Sequence, residues 1–284
     1  MNSKNNYYEK SAVKSRAMNI FKYMILVIFS LIAIYPLLWV ILTSFKSATE
    51  VYANPFGIPI AFDFDNFRQA FISGDLLISF RNSIFYSAIT TVFVLFFSSM
   101  ASYIIAKVYT KFILYVYFTL GIMIPVHSII LPLFIMVKEL GFFNTRIGLI
   151  LIYIVINLSF SIFILVSFMR NIPKELEDAA RIDGASLPRI FFSIILPISR
   201  PGLATVGTFA FLFTWNDLLI ALIMAPSPHL KTLNLAVFNL RGQYVSDFGL
   251  ISAGLTLIII PMVFIYIIFQ EQVIKGLAAG AIKE

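Results

Sequence analysis

One polar stretch decides how this chain is interpreted: residues 175–202 read ELEDAARIDGASLPRIFFSIILPISRPG and lie between two long apolar runs. Pro173 fits the first turn of a helix, where its missing N–H has no partner to lose, and the carboxylates that follow favour the positive end of the helix dipole. Gly184 can end this helix in a left-handed conformation, and Ser186 can cap a second helix that ends at Pro197. The stretch therefore predicts a helix, a glycine turn and a second helix, which together form a docking element without catalytic residues.

The first of these two helices has a predicted apolar face. Leu176, Ala179 and Ala180 lie at positions i, i+3 and i+4, so they share one side of a helix. The charged side chains around them fall on other sides. We expect a small face that permits close approach of a partner, with charged flanks that hold the helix in register.

The rest of the chain is strongly apolar. Hydrophobic residues make up 60% of the sequence and charged residues 12%, against roughly 25% charged in a soluble domain. Six apolar runs each have about 20 residues or more, which is enough to cross about 30 Å of hydrocarbon as helices. We predict an all-α integral membrane protein with six transmembrane helices, at Tyr23–Leu42, Ser83–Ala106, Phe112–Val137, Ile147–Met169, Pro201–Ala225 and Phe248–Gln270.

The distribution of Lys and Arg predicts the orientation. If both termini are cytoplasmic, 14 of the 21 Lys and Arg residues lie inside and 7 lie outside, as the positive-inside rule requires. We therefore expect a cytoplasmic N-terminal tail over residues 1–22, a permease domain over 23–270 and a cytoplasmic C-terminal tail over 271–284. The loop 170–200, between the fourth and fifth spans, then lies in the cytoplasm with its docking helix.

The docking stretch resembles a motif in the membrane subunits of ATP-binding-cassette importers. That motif is Glu-Ala-Ala, three residues, Gly, nine residues and then Ile-x-Leu-Pro, and this chain matches its spacing with Asp178 in place of the usual Glu. Trp215-Asn216-Asp217 and the tail GLAAGAIKE are similar to the maltose-type permeases for carbohydrate uptake. The resemblance implies that nine residues couple the chain to an ATPase, namely Glu177, Asp178, Ala179, Ala180, Asp183, Gly184, Ile194, Leu196 and Pro197.

The same resemblance implies a function and a set of partners. The chain would be one half of a permease heterodimer in a bacterial cell membrane, with a second homologous permease subunit, two ATPase subunits and an extracellular or periplasmic solute-binding protein. ATP and Mg would bind the ATPase subunits, and this chain would bind no cofactor. The transported solute would be a sugar or oligosaccharide, or alternatively a non-sugar solute such as glycerol phosphate.

A second candidate site is the pathway through the membrane. Trp215, Asn216 and Asp217 place an aromatic ring beside hydrogen-bonding groups, a combination suited to sugar rings and hydroxyls. A carboxylate inside a membrane helix costs about 2.5–3.5 kcal/mol on insertion scales, so Asp217 should face the bundle or a wet cavity. It either lines the sugar path or fixes packing through a hydrogen bond near the outer interface. Asn157, midway along the fourth run, is a further pathway candidate.

Other classes of function find little support in the sequence. There is no Gly-Lys-Ser/Thr phosphate loop, no HExxH motif and no cysteine, and His127 and His229 are too far apart to suggest a metal-ligand pair. We therefore predict neither a catalytic site nor a metal site. The net charge of +7 is a topology signal with attraction to anionic lipid, so no nucleic-acid partner is expected. An ion-coupled secondary transporter remains an alternative, with Asp217 as the single carboxylate in its predicted spans.

Overall fold

The computed structural model describes residues 2–73, 75–240 and 247–281, and these residues form helices and no strands. They divide into two compact units, Met1–Ala70 with Gln243–Thr256 and Phe71–Gly242 with Leu257–Glu284. Within these described ranges four helices are long and apolar enough to cross a membrane, and there are up to six crossing segments if two bent helix pairs each count as one. The prediction of an all-helical membrane protein is confirmed at this level.

The first unit contains helix α1 (Asn2–Thr43), the short helix α2 (Ala48–Ala53) and most of α3 (Asp65–Ser73). Helix α1 runs without a break from Asn2 through the expected boundary between tail and span at Tyr23. No Gly or Pro precedes Pro36 in this part of the sequence, so nothing interrupts the helix. Its portion Met18–Thr43 is apolar enough to span a membrane.

Buried polar groups order the loop between α1 and α3. The side chain of Lys46 is fully buried, and its ammonium donates to the carbonyl of Asn54 at 2.7 Å. The amide of Asn66 donates to the carbonyls of Ser44 and Lys46 at 2.9 and 2.8 Å. These backbone carbonyls have no N–H partner within a helix, and the two side chains satisfy them instead. The loop therefore has a defined conformation.

The second unit contains the remaining helices, of which the last begins in the first unit. In chain order they are α4 (Leu76–Tyr103), α5 (Phe112–Thr119), α6 (Ile130–Glu139), α7 (Arg146–Arg170), α8 (Glu175–Ile182), α9 (Leu187–Ile190), α10 (Leu196–Ile198), α11 (Arg200–Asn216), α12 (Leu219–Met224), α13 (Leu233–Asn239) and α14 (Phe248–Ala281). Helix α4 continues as a π-helical turn over Ile104–Val108.

Helices α4, α7 and α11 pack against one another and form the core of this unit. The buried face of α4 is a stripe of mostly hydroxyl side chains repeating every three or four residues, namely Ser79, Ser83, Ser87, Thr90, Val94, Ser98 and Ser102. Small side chains allow the helix backbones to approach closely, which is how helices associate where lipid offers no hydrophobic drive. Gly202 of α11 follows the same rule, because a Cβ there would lie 3.0 Å from the ring of Phe168.

The predicted third span, Phe112–Val137, is broken in the middle. Its two halves, Phe112–Met123 and Val126–Glu139, meet at an angle of 85°. Pro125 causes the break, because proline disfavours helical geometry in the residue before it, and Ile124 is extended with φ −87° and ψ 111°. Pro132 lies in the first turn of α6, where proline is tolerated.

The predicted fifth span, Pro201–Ala225, is also wrong as a single helix. Helix α11 ends at Asn216, Asp217 is extended with ψ 134°, and α12 starts at Leu219. On its other side α11 is bent by 77° from the segment Leu187–Ile198. Asp217 therefore lies in a break between two helices and not inside one.

The sixth apolar run extends further than predicted. Helix α14 continues from the predicted span into the expected C-terminal tail and ends at Ala281. The expected tail over 271–284 is thus helical as far as the structure describes it, and its last three residues, 282–284, lie outside the described residues.

Candidate functional site

Gly184 ends helix α8 in the left-handed conformation that the sequence predicts, with φ +78°. Its N–H donates to the carbonyl of Arg181 at 3.0 Å, and the N–H of Ala185 donates to the carbonyl of Ala180 at 2.9 Å. These two bonds form a Schellman motif, which satisfies carbonyls at the end of the helix. A Cβ on Gly184 would meet nothing within 4 Å, so the backbone conformation alone favours glycine.

The ends of the two docking helices differ in detail from the prediction. Pro173 lies two residues before α8, because Lys174 occupies the N-cap. Ser186 is extended and precedes α9 directly, but its side chain makes no capping bond. Beyond α9 the chain forms a π-helical turn over Phe191–Ile195 and ends with α10 at Ile198, one residue past the predicted end.

Helix α8 has one face buried in the second unit and one face exposed. Glu177 and Ala180, three residues apart, are buried. Leu176 is 42% exposed and Ile182 is 86% exposed, and Ala179 is also exposed. Of the predicted apolar face, Leu176 and Ala179 are exposed and open to a partner, whereas Ala180 turns inward together with the carboxylate of Glu177.

The predicted coupling residues divide between these two sides. Four of them are exposed on or next to α8, namely Asp178, Ala179, Asp183 and Gly184. Glu177 and Ala180 face the bundle. Ile194 and Leu196 are partly buried and pack against a core of Tyr103, Met169, Ile190, Phe191 and Ile195, among others, while Pro197 is exposed. The apolar cluster anchors the loop to the bundle and leaves the first four residues free to contact a partner.

The inward carboxylate of Glu177 meets residues at the end of α4. Its Oε1 lies 3.7 Å from Nζ of Lys107, and its Oε2 accepts a hydrogen bond from the hydroxyl of Tyr103 at 3.4 Å. The ammonium of Lys107 also donates to the carbonyl of Ile172, just beyond α7. Sequence reasoning took Lys107 only as a topology signal, and no local pattern marks its pairing with Glu177.

A cavity of about 500 Å³ lies between the broken third span, α7 and the break after α11. Three of the four predicted pathway residues line it: Asn157, Asn216 and Asp217. Aromatic and further polar side chains complete the lining, among them His127, Tyr153, Ser159, Phe160 and Phe213. The cavity therefore combines hydrogen-bonding groups with aromatic rings, although the rings differ from the one at Trp215 that the sequence indicated.

Asp217 is tied to two helices through its carboxylate. Oδ2 accepts hydrogen bonds from the hydroxyl of Tyr153 at 2.8 Å and from the N–H of Ala221 at 2.9 Å, and Oδ1 accepts from the N–H of Ile220 at 3.2 Å. The carboxylate thus satisfies free N–H groups at the start of α12 and links them to α7. Both alternatives left open by the sequence describe part of its position, since Asp217 lines the cavity and also fixes packing.

Trp215 lies away from this cavity. It is fully buried, stacks on Phe211 with 5.8 Å between ring centroids, and its indole N–H donates to the carbonyl of Ile258 at 3.2 Å. The adjacent Asn216 is exposed and lines the cavity. Trp215 therefore lies in the packed interior, whereas Asn216 and Asp217 line the cavity. The three consecutive residues do not form one site.

Tyr153 is a site residue that sequence reasoning missed. It lies four residues before Asn157, whose amide donates to the carbonyl of Tyr153 at 2.8 Å, and Ser161 follows four residues later with a bond to the carbonyl of Asn157. A polar side chain at every fourth position of an apolar run marks one helix face, and this signal was available in the sequence. Among the described residues, no three His, Asp or Glu side chains are grouped as metal ligands.

Helices apolar enough to cross a membrane and a cavity with polar lining between them are features of a membrane subunit of a transport system. Residues 106–278 match the family described as binding-protein-dependent transport system inner membrane component, and the chain belongs to this family. It is a multi-pass protein of the cytoplasmic membrane and a transport subunit rather than an enzyme. The family works with a solute-binding protein and an ATPase.

Several proteins are similar over most of this length. The trehalose transport system permease protein SugB of Mycobacterium tuberculosis is 38% identical, covering 88% of this chain and 93% of that protein. The diacetylchitobiose uptake system permease protein NgcG of Streptomyces coelicolor is 33% identical, covering 91% and 87%. A crystal structure of a bacterial ABC transporter involved in the import of the acidic polysaccharide alginate shares the fold, with a TM-score of 0.79, 21% identity and coverage of 91% and 97%.

Proposed function

We propose that this chain forms half of the transmembrane pathway of an ATP-binding-cassette importer for a sugar or oligosaccharide, as one member of a permease heterodimer. The relatives named for trehalose and for diacetylchitobiose support the choice of a carbohydrate. The observation that carries the proposal is the lining of the cavity at Asp217. Asn157, Asn216 and the carboxylate offer donors and acceptors to hydroxyl groups, and Phe160 and Phe213 offer apolar ring surface.

The same lining argues against an anionic solute. No Lys or Arg lines the cavity in the part of the chain that the structure describes, and His127 is its single basic side chain. Phosphate recognition relies on Arg, Lys or free backbone N–H groups, and the nearest N–H groups already bond the carboxylate of Asp217. A neutral solute is therefore favoured over glycerol phosphate. The ion-coupled carrier is set aside because the chain belongs to a binding-protein-dependent family.

Our proposal for the topology is six membrane passes with both termini in the cytoplasm, in which the bent pair Phe112–Met123 and Val126–Glu139 is the third pass and helices α11 and α12 together are the fifth. The excess of Lys and Arg in the segments assigned to the inside supports this orientation. It puts α8 in the cytoplasm, where its exposed residues Asp178, Ala179 and Asp183 contact an ATPase subunit. ATP and Mg²⁺ bind the two ATPase subunits, and closure of those subunits moves α8 and turns the permease pair from inward-facing to outward-facing.

Reconstitution tests this function. The chain is purified with the products of its neighbouring genes, incorporated into vesicles with ATP inside, and supplied with a solute-binding protein. We expect ATP-dependent uptake of a neutral di- or oligosaccharide from a panel that includes glycerol 3-phosphate. Uptake of glycerol 3-phosphate alone, or uptake that follows an ion gradient without ATP, would contradict the proposal.

A further inference from the structure

Lys107 is the point at which three helices meet. It lies in the π-helical turn that continues α4, its ammonium donates to the carbonyl of Ile172 beyond the end of α7, and it is paired with Glu177 of α8. Tyr103, one turn earlier on α4, donates to the other oxygen of the same carboxylate. Two side chains of α4 therefore hold one carboxylate of the docking helix.

The burial of this pair makes it more than a surface contact. The side chain of Lys107 is 8% exposed and that of Glu177 is 3% exposed. Burying two charges brings a desolvation penalty that offsets much of their attraction, so such a pair adds little stability over apolar packing. The pair instead favours one relative position of the two side chains, because separating them leaves a buried charge without compensation.

The apolar contacts around the ion pair do not favour one relative position in this way. Ala180, Ile190 and Phe191 pack in an apolar cluster with residues of α4 and α7. Apolar burial depends on area and not on orientation, so a docking helix held by this cluster alone could slide over it. The ion pair and the hydrogen bond from Tyr103 to the other carboxylate oxygen are directional contacts between α8 and the end of α4.

We propose that Lys107 and Glu177 are a positioning pair that makes α8 and the end of α4 move as one body. The proposal rests on the proposed function, because it assigns the pair to the transmission of ATPase movement into the membrane. Glu177 then acts inward, through Lys107, and the contact with the ATPase belongs to the exposed side of α8. Movement of α4 reaches the pathway because α4 packs on α7, which carries Tyr153 and Asn157 of the cavity.

A double-mutant cycle in the reconstituted complex tests the pair. Lys107→Met, Glu177→Gln and the double variant are compared for recovery of the ATPase subunits, ATP hydrolysis and solute uptake. We expect recovery and hydrolysis within about twofold of wild type, and uptake per ATP lowered about tenfold in Lys107→Met. The double variant should be no worse than that single variant, because residues that act through each other are non-additive. Two control variants, Lys111→Met and Glu139→Gln, change exposed charges that do not belong to the Lys107–Glu177 pair. They should behave as wild type.

A second measurement does not depend on the solute. The native chain has no cysteine, so spin labels can be placed at Phe93→Cys on α4 and Ile182→Cys on α8, both exposed positions, with cysteine-free partner subunits. In the wild-type background we expect the same narrow distance distribution without nucleotide and with ATP. In the Lys107→Met background the distribution should broaden or shift when ATP binds.

Four outcomes would overturn the positioning role. The first is that uptake per ATP is unchanged in Lys107→Met. The second is that the losses from the two single variants add in the double variant, and the third is that the label distance in the wild type changes with nucleotide. Loss of the ATPase subunits from Lys107→Met would also overturn it, because the pair would then serve assembly. A wild-type complex that takes up no carbohydrate would instead contradict the proposed function. The label distances would still test whether α8 and the end of α4 move as one body.

Discussion

Replacement of Gly184 by valine tests whether the turn after α8 sets the orientation of α9 relative to α8. Gly184 has φ +78°, a region in which L-residues lose about 1–2 kcal/mol through contact of Cβ with the backbone and in which β-branched residues are outliers. A Cβ would meet no neighbouring group within 4 Å, so the entire penalty is local to the backbone. The protein can relieve it only by giving up the Schellman bonds of Gly184 and Ala185 to the end of α8.

A penalty of about 1–2 kcal/mol changes an equilibrium by a factor of roughly 5–30. We therefore expect Gly184→Val to lower the ratio of the native turn to other conformations by about 5–30-fold, and the uptake per ATP hydrolysed to fall by up to that factor. Membrane insertion should be unaffected because Gly184 is exposed and lies outside the segments apolar enough to span. The assay measures recovery of the ATPase subunits by pull-down, followed by uptake and hydrolysis in vesicles.

Two further variants separate an effect on this orientation from the effect of backbone strain at a left-handed glycine in general. Gly184→Asn should retain most activity, because asparagine adopts the left-handed conformation more readily than valine. Gly141 has φ +74° and equally open surroundings, so Gly141→Val introduces the same strain in a turn outside the docking loop and should leave coupling intact. Wild-type pull-down and coupling in Gly184→Val, or an equal loss in Gly141→Val, would refute the reasoning.

Three other variants address the rest of the site. Asp178→Ala removes one exposed carboxylate without bending the chain and should lower ATPase recovery or coupling by about two- to fivefold, as expected for a surface ion pair; no change in either would exclude a contact at Asp178. Asp217→Asn keeps an acceptor for the N–H groups of α12, so complex abundance should be preserved while uptake falls; normal uptake kinetics would remove Asp217 from the pathway. Asp183→Cys should react with a membrane-impermeant thiol reagent only in inside-out vesicles, and labelling of intact cells would contradict the cytoplasmic loop.

Local features of the sequence predicted local features of the structure. The glycine turn at Gly184 follows from a backbone preference that needs no distant partner, and the break of the third span also has a local cause, Pro125, although Phe112–Val137 is predicted as a single helix. The hydroxyl stripe of α4 is likewise visible as a repeat. These features depend on residues a few positions apart, so a single sequence contains the information.

The errors arose where distant residues determine the outcome. Glu177 turns inward because Lys107 and Tyr103, far away in sequence, meet its carboxylate, and a helical repeat cannot show that. The break after Asn216 has no proline or glycine to mark it and is stabilised by bonds from Asp217 to Tyr153 and α12. Average hydropathy over a long window does not register a break of two residues, so the fifth span was read as continuous.

The π-helical turn that ends α4 constrains how the length of this segment can change during evolution. Its wide turn is closed by the N–H of Tyr109, which donates to the carbonyl of Ile104 at 2.6 Å, where a regular helix would use a residue one position closer. Deleting one residue within this turn would restore the regular repeat, and the residues after it would keep nearly the same direction because the wide turn already absorbs one extra residue. Deleting a residue in the regular part of α4 would instead rotate Lys107 by about 100° relative to the helix before it and turn its ammonium away from Glu177, so single-residue deletions should be rarer within α4 than in its last turn.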